Sequence, residues 1–134
     1  MHFRVDPAGP APPSEQLANQ VRFAVAAGRL DTGSKVPSLR SLAAEVRVNP
    51  NTVGRAWKQL EREGVLQARR GDGMYVATGA QELCREAVGQ KMAELIGRAV
   101  AEARAGGLSA AEVQSLVQTS LDAWELAFEG DEKQ

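Results

Sequence analysis

The sequence predicts a mostly α-helical fold with one small β-hairpin, the hairpin lying in an N-terminal part and a two-helix region following it. Three observations carry this prediction. Apolar residues recur at helical spacing in five stretches, a glycine-rich turn separates two short strand-like runs, and the charge changes sign near residue 79. Residues 1–79 hold 11 Lys/Arg against 7 Asp/Glu, or +4, whereas residues 80–134 hold 5 against 10, or −5. The net charge of −1 hides that division. Such asymmetry suits the first part to a polyanion and gives the second a different task.

Bulk properties exclude several function classes. A chain of 134 residues is long enough to fold without covalent staples. Its single cysteine, Cys84, cannot form an intramolecular disulfide, which fits a reducing compartment; a packing role is expected, with redox sensing as the alternative. The single histidine, His2, lies far from Cys84 in sequence, so no metal site, no Cys/His nucleophile pair and no cofactor are expected. Residues 1–13 lack a basic segment followed by an apolar run, and no stretch is apolar enough to cross a bilayer, so a cytoplasmic protein without membrane contact is expected. With no phosphate-cradling loop followed by lysine and no plausible triad, catalysis is not expected.

The elements follow in order. Residues 1–13 hold four of the six prolines and are expected to be a flexible, poorly packed arm. From Ser14, the spacing of Leu17, Val21, Ala24 and Val25 predicts a first helix, ended by Gly28. Ser38 is placed to cap a short second helix with Leu39, Leu42, Ala43 and Val46 on its apolar face. Asn49-Pro50 reads as a cap and first-turn proline for a third helix. Its buried stripe is Val53, Ala56, Trp57 and Leu60, and Gly64 stops it. Residues 65–69 and 74–77 read as strands joined by Arg70-Gly71-Asp72-Gly73. Two helices across a very short turn, followed by a hairpin, make residues 14–79 a winged helix-turn-helix domain.

Residues 80–134 are expected to form a two-helix dimerisation region. Leu83, Val88, Met92, Leu95 and Ile96 lie on one wide apolar face, and Gly106-Gly107 breaks the helix. Ser109-Ala110-Ala111-Glu112 is a capping box for a last helix striped by Leu116, Val117, Leu121, Trp124 and Phe128. Residues 129–134 are expected to fray. Two such helices cannot bury wide faces on each other alone, and a second copy of the chain is the economical partner. Trp57 and Trp124 are read as core residues because both lie on apolar stripes. Met92 and the double glycine leave room for a small effector, although nothing in the sequence requires one.

The candidate binding residues form three groups. Asn51, Arg55, Lys58 and Arg62 occupy the polar side of the third helix, with Thr52 in its first turn. Glu61 and Glu63 partly offset the charge of Arg55, Lys58 and Arg62, which alone would read as an ordinary solvated face. A single helix fits the major groove, where asparagine pairs with adenine and arginine with guanine through two hydrogen bonds each. Asn49 is either a base contact or only a cap. Ser38 and Arg40 begin the second helix, where phosphate contacts fix orientation. Arg69, Arg70 and Gly71 supply a hairpin able to approach a sugar-phosphate edge. Asp72 is expected to point away from phosphates or to pair with an arginine. The partner so defined is double-stranded operator DNA.

Four separated runs carry a resemblance: Val36-Pro37-Ser38-Leu39-Arg40-Ser41-Leu42-Ala43, Val48-Asn49-Pro50-Asn51-Thr52-Val53, Leu60-Glu61-Arg62-Glu63-Gly64-Val65-Leu66 and Arg70-Gly71-Asp72-Gly73-Met74-Tyr75-Val76. Together they resemble the DNA-binding domain of the GntR family of bacterial regulators, and the short helical tail resembles its YtrA-type subgroup. The resemblance implies a dimeric repressor of its own operon, together with transporter genes of the ABC class, acting on a palindromic operator. It also implies DNA contact by Arg40, Thr52, Arg70 and Gly71. Pro50 and Gly54 depart from the family's pattern, standing where many relatives carry arginine. Those departures and the acidic tail support the alternative of a winged-helix protein-docking module without operator binding.

Overall fold

The computed structural model describes residues 1–132. Its elements run α1 (Pro13–Ala26), α2 (Leu39–Val46), α3 (Pro50–Arg62), β1 (Leu66–Arg69), β2 (Gly73–Val76), α4 (Ala80–Ala105) and α5 (Ala110–Glu132). The chain divides into two compact units, residues 1–90 and 91–134, so the first turns of α4 belong to the first unit. None of the described helices is long and apolar enough to cross a membrane.

In the first unit α3 is central, packed against α1, α2 and β1. Its stripe of Val53, Ala56, Trp57 and Leu60 meets Leu17, Val21 and Val25 of α1 and Leu42 of α2 in one buried cluster. Both expected caps form. Ser38 Oγ accepts from the Ser41 N–H at 3.2 Å, and Asn49 Oδ1 accepts from the Asn51 N–H at 2.8 Å. Between α2 and α3 the turn passes through Arg47, whose φ of 60° is left-handed, a conformation that crowds the Cβ of any residue but glycine. The antiparallel hairpin pairs Leu66 with Val76 and Arg69 with Gly73. Leu66 and Val76 are buried in the helical cluster, which supports a hairpin too small to stand alone. Ala80 and Cys84 close the core, and burial pushes the Cys84 thiol above its ordinary range.

The proline-rich start is not the flexible arm that its composition suggests. Phe3 is 4% exposed and its ring centroid lies 6.1 Å from that of Trp57. Two glutamines one helical turn apart on α1 hold the backbone behind it. Gln20 accepts from the Arg4 N–H at 2.9 Å and donates to the Arg4 carbonyl. Gln16 does the same for Asp6, both at 2.9 Å, and its amide also donates to the Ala11 carbonyl at 2.8 Å. The amides thus act as a substitute strand edge, pairing alternate residues while Phe3 and partly buried Val5 turn toward the core. Arg22 of α1 also clamps Glu63 at the end of α3 with two hydrogen bonds of 2.8 and 2.7 Å.

The second unit holds the rest of α4 and α5, joined at Gly106-Gly107. Ser109 and Glu112 form the reciprocal capping box, at 3.2 and 3.1 Å. Its apolar residues stay exposed in this chain: Leu95, Ile96, Leu116, Val117, Leu121 and Phe128 all face solvent, and Trp124 is 69% exposed. The expectation that Trp124 is a core residue therefore fails within a single chain, because the two helices do not bury their stripes on each other. Of the other residues expected on that surface, Leu83 and Val88 fall in the first unit and Met92 in the second. α5 runs to Glu132, and the remainder of the end expected to fray lies outside the described residues.

Candidate nucleic-acid interface

The residues singled out above lie on α2, α3 and the hairpin of the first unit. On α3 the buried stripe forces Asn51, Arg55 and Lys58 to the opposite side, where all three are exposed. Thr52, half-buried, sits in the first turn, its N–H donating to the Asn49 carbonyl at 2.9 Å. Asn49 is the cap, so one of its two possible roles is occupied. Arg40 is exposed in the first turn of α2, and Ser38 caps that helix. Trp57 ties α3 to the approach to α2, its indole N–H donating to the Pro37 carbonyl at 3.1 Å.

On the other side of α3 stands the wing. A groove of about 540 Å³ between them is lined by Ser38, Leu39, Gly54 and Lys58 on the helical side and by Arg69, Arg70 and Gly71 on the hairpin side. The tip turns at Gly71, φ 78°, and closes with the Asp72 N–H donating to the Arg69 carbonyl at 3.0 Å. Asp72 does not pair with an arginine. Its carboxylate takes a hydrogen bond from the Tyr75 hydroxyl and a salt bridge from Lys35 Nζ at 3.2 Å. These partners hold the Asp72 carboxyl below its usual range and, reciprocally, push the Tyr75 phenol up. The Arg69 guanidinium lies over the Tyr75 ring, 3.8 Å from its centre.

Lys35 is the groove residue that sequence reasoning missed. A backbone bridge to Tyr75 brings its loop against the wing, and the Val36 N–H donates to the Met74 carbonyl at 2.9 Å. The signal in the sequence was slight: a lysine just before an apolar Val36-Pro37 pair. Glu63 lies against Arg22, whose hydrogen bonds hold its carboxyl below the usual range, and it also interacts with the charge of Arg62.

A helix-turn-helix with a braced basic wing defines the class of winged helix-turn-helix proteins. The profile described as "Bacterial regulatory proteins, gntR family" matches residues 13–76, which form a GntR-family helix-turn-helix domain. It is similar to the HTH-type transcriptional repressor YtrA of Bacillus subtilis, 39% identical over 79 residues, which cover 59% of this chain and 61% of that repressor. The match thus spans less than two thirds of that relative. Among solved structures, a transcriptional regulator from Oenococcus oeni superposes with a TM-score of 0.70 at 25% identity, covering 87% of this chain and 97% of that one. YtrA of Sulfolobus acidocaldarius, a GntR-family transcription factor, superposes with a TM-score of 0.56 at 29% identity, covering 72% of this chain and 95% of that one. GntR-family transcriptional regulators are not enzymes.

Proposed function

We propose that the chain is a sequence-specific transcriptional repressor of the YtrA type, which binds a palindromic operator as a homodimer in the cytoplasm and controls its own operon. The observation that carries this reading is the groove between the start of α2, α3 and the wing, lined by Ser38, Lys58, Arg69, Arg70 and Gly71, together with the exposure of Asn51, Arg55 and Lys58 on α3. In this reading α3 enters the major groove, with Asn51 and Arg55 reading base edges and Lys58 meeting the backbone. Asn49, engaged as cap, shapes the helix start. Thr52, Ser38 and Arg40 hold phosphates, and Arg69, Arg70 and Gly71 bring the wing to the adjacent minor groove.

The homodimer is supported by the many large apolar residues left exposed along the helices of the second unit, since large exposed apolar surfaces mark interaction sites. A two-fold pair implies half-sites one helical turn or a small multiple apart.

Fluorescence anisotropy against the DNA upstream of the chain's own gene, with random duplex as competitor, tests the reading. The upstream DNA is expected to win, with log affinity falling steeply with log salt. Arg40→Ala should weaken binding to every sequence. Asn51→Ala or Arg55→Ala should relax preference at one base pair by roughly 1–3 kcal/mol. Equal binding to upstream and random duplex would overturn the proposal in favour of a protein-docking module.

A further inference from the structure

Gly54 is the unexplained residue of α3. Glycine inside a helix is about 1 kcal/mol less favourable than alanine. Its backbone here has no positive φ that would require it. A methyl group added at Gly54 would meet Leu39 Cδ1 at 3.7 Å, an ordinary van der Waals contact, so alanine fits the protein without strain. Nothing inside the chain demands the missing side chain, and the space it leaves opens outward.

That space lies on the reading side. Gly54 stands three residues after Asn51 and four before Lys58, both on the exposed face, and it lines the groove shared with the wing. Beside it Leu39, the first residue of α2, is 40% exposed between Ser38 and Arg40. A lone exposed leucine is unremarkable in itself. This one forms the wall of a vacant notch in a groove whose charged lining is Lys35, Lys58, Arg69 and Arg70 against Glu61 and Asp72, a cationic balance. The surroundings fit a polyanion and the notch fits a small apolar group.

DNA offers one such group in the major groove: only thymine carries a methyl there. We infer that Leu39 and Gly54 form an apolar notch that receives the C5-methyl of one thymine in each half-site, making Leu39 a specificity-determining residue. The inference rests on the DNA-binding reading above. Leu39 supplies the contact surface, and the bare backbone at Gly54 lets the base edge approach.

Replacing thymine by deoxyuridine removes the methyl and leaves every hydrogen-bonding group in place. The full chain is first used to select its preferred duplex from a random pool, and each thymine of that duplex is then replaced singly. One position per half-site should lose roughly 4-fold in affinity, the size of one buried methyl. Leu39→Ala should lose a similar amount on the thymine duplex and become indifferent to the replacement, whereas Asn51→Ala should weaken binding yet keep the methyl effect. Gly54→Ala, which fills the notch without disturbing the fold, should also erase it. Thermal melting checks that each variant is folded. Selection of a duplex on which every replacement is neutral, or a methyl effect that survives Leu39→Ala, would overturn the inference and leave operator binding standing. Failure to select any duplex would overturn both.

Discussion

The two tryptophans show how differently the two units are built. Trp57, in residues 1–90, is 3% exposed, packed against Phe3 and hydrogen-bonded through its indole. Trp124, in residues 91–134, is 69% exposed on a helix whose neighbouring apolar residues share its exposure. The same side chain, on equally clear apolar stripes, is core in one unit and surface in the other. Periodicity marks a face that wants burial; whether the chain itself supplies the cover depends on how many elements surround that face. In the first unit three helices, a hairpin and the N-terminal segment converge, and in the second there are two helices.

Truncation separates the cases most sharply. Trp57→Ala should cost about 4 kcal/mol of unfolding free energy, measured by urea denaturation, from lost burial and the cavity left behind. Phe3→Ala should cost about 3 kcal/mol in the same assay, a loss that a loose arm would not show. Trp124→Ala should leave the unfolding of dilute monomer nearly unchanged while weakening self-association by about 2 kcal/mol, read by analytical ultracentrifugation. If it lowers monomer stability as much as Trp57→Ala does, the contrast between the units is false.

Electrostatics sharpens the comparison at smaller scale. Glu63→Gln should cost roughly 1 kcal/mol at neutral pH, a value discounted for the partial exposure of the pair. Because Arg22 lowers the folded carboxyl's pKa, the stabilisation is complete above the unfolded value near ~4.3 and lost as pH falls through the folded one. Urea titrations across that window should therefore show wild type and variant converging on acidification. Arg22 stays charged throughout, since its own pKa is raised by Glu63. Smallest of all, Arg47→Gly should raise stability by about 0.5 kcal/mol, the relief of a left-handed backbone less the entropy that glycine adds to the unfolded chain.

What was legible in the sequence was local. Asn49-Pro50, the stripe on α3, the capping box at Ser109 and the turn at Gly71 are each decided within a few residues, and each lies where the pattern placed it. What escaped depends on distant partners. Proline content made residues 1–13 look loose, yet the alternation of Phe3 and Val5 against Arg4 and Asp6 finds its hydrogen bonds on glutamines ten and sixteen residues away. Asp72 meets Lys35 across 37 residues, and Arg22 meets Glu63 across 41. No spacing rule reaches that far. For the candidate site, the exposed side of α3 with Asn51, Arg55 and Lys58 could be read from the sequence, because the buried stripe decides which side faces out. The notch between Leu39 and Gly54 could not, since it exists only once α2 and α3 are crossed.

The brace on the wing has an entropic meaning of its own. A hairpin tip ordinarily samples many shapes and must surrender them on docking. Here Tyr75 holds Asp72 on one side and carries Arg69 on the other, while Lys35 anchors the arrangement to the loop before α2. Much of that freedom is already gone in the unbound chain, so a surface that meets the wing is charged less for ordering it, and more of each contact survives as affinity.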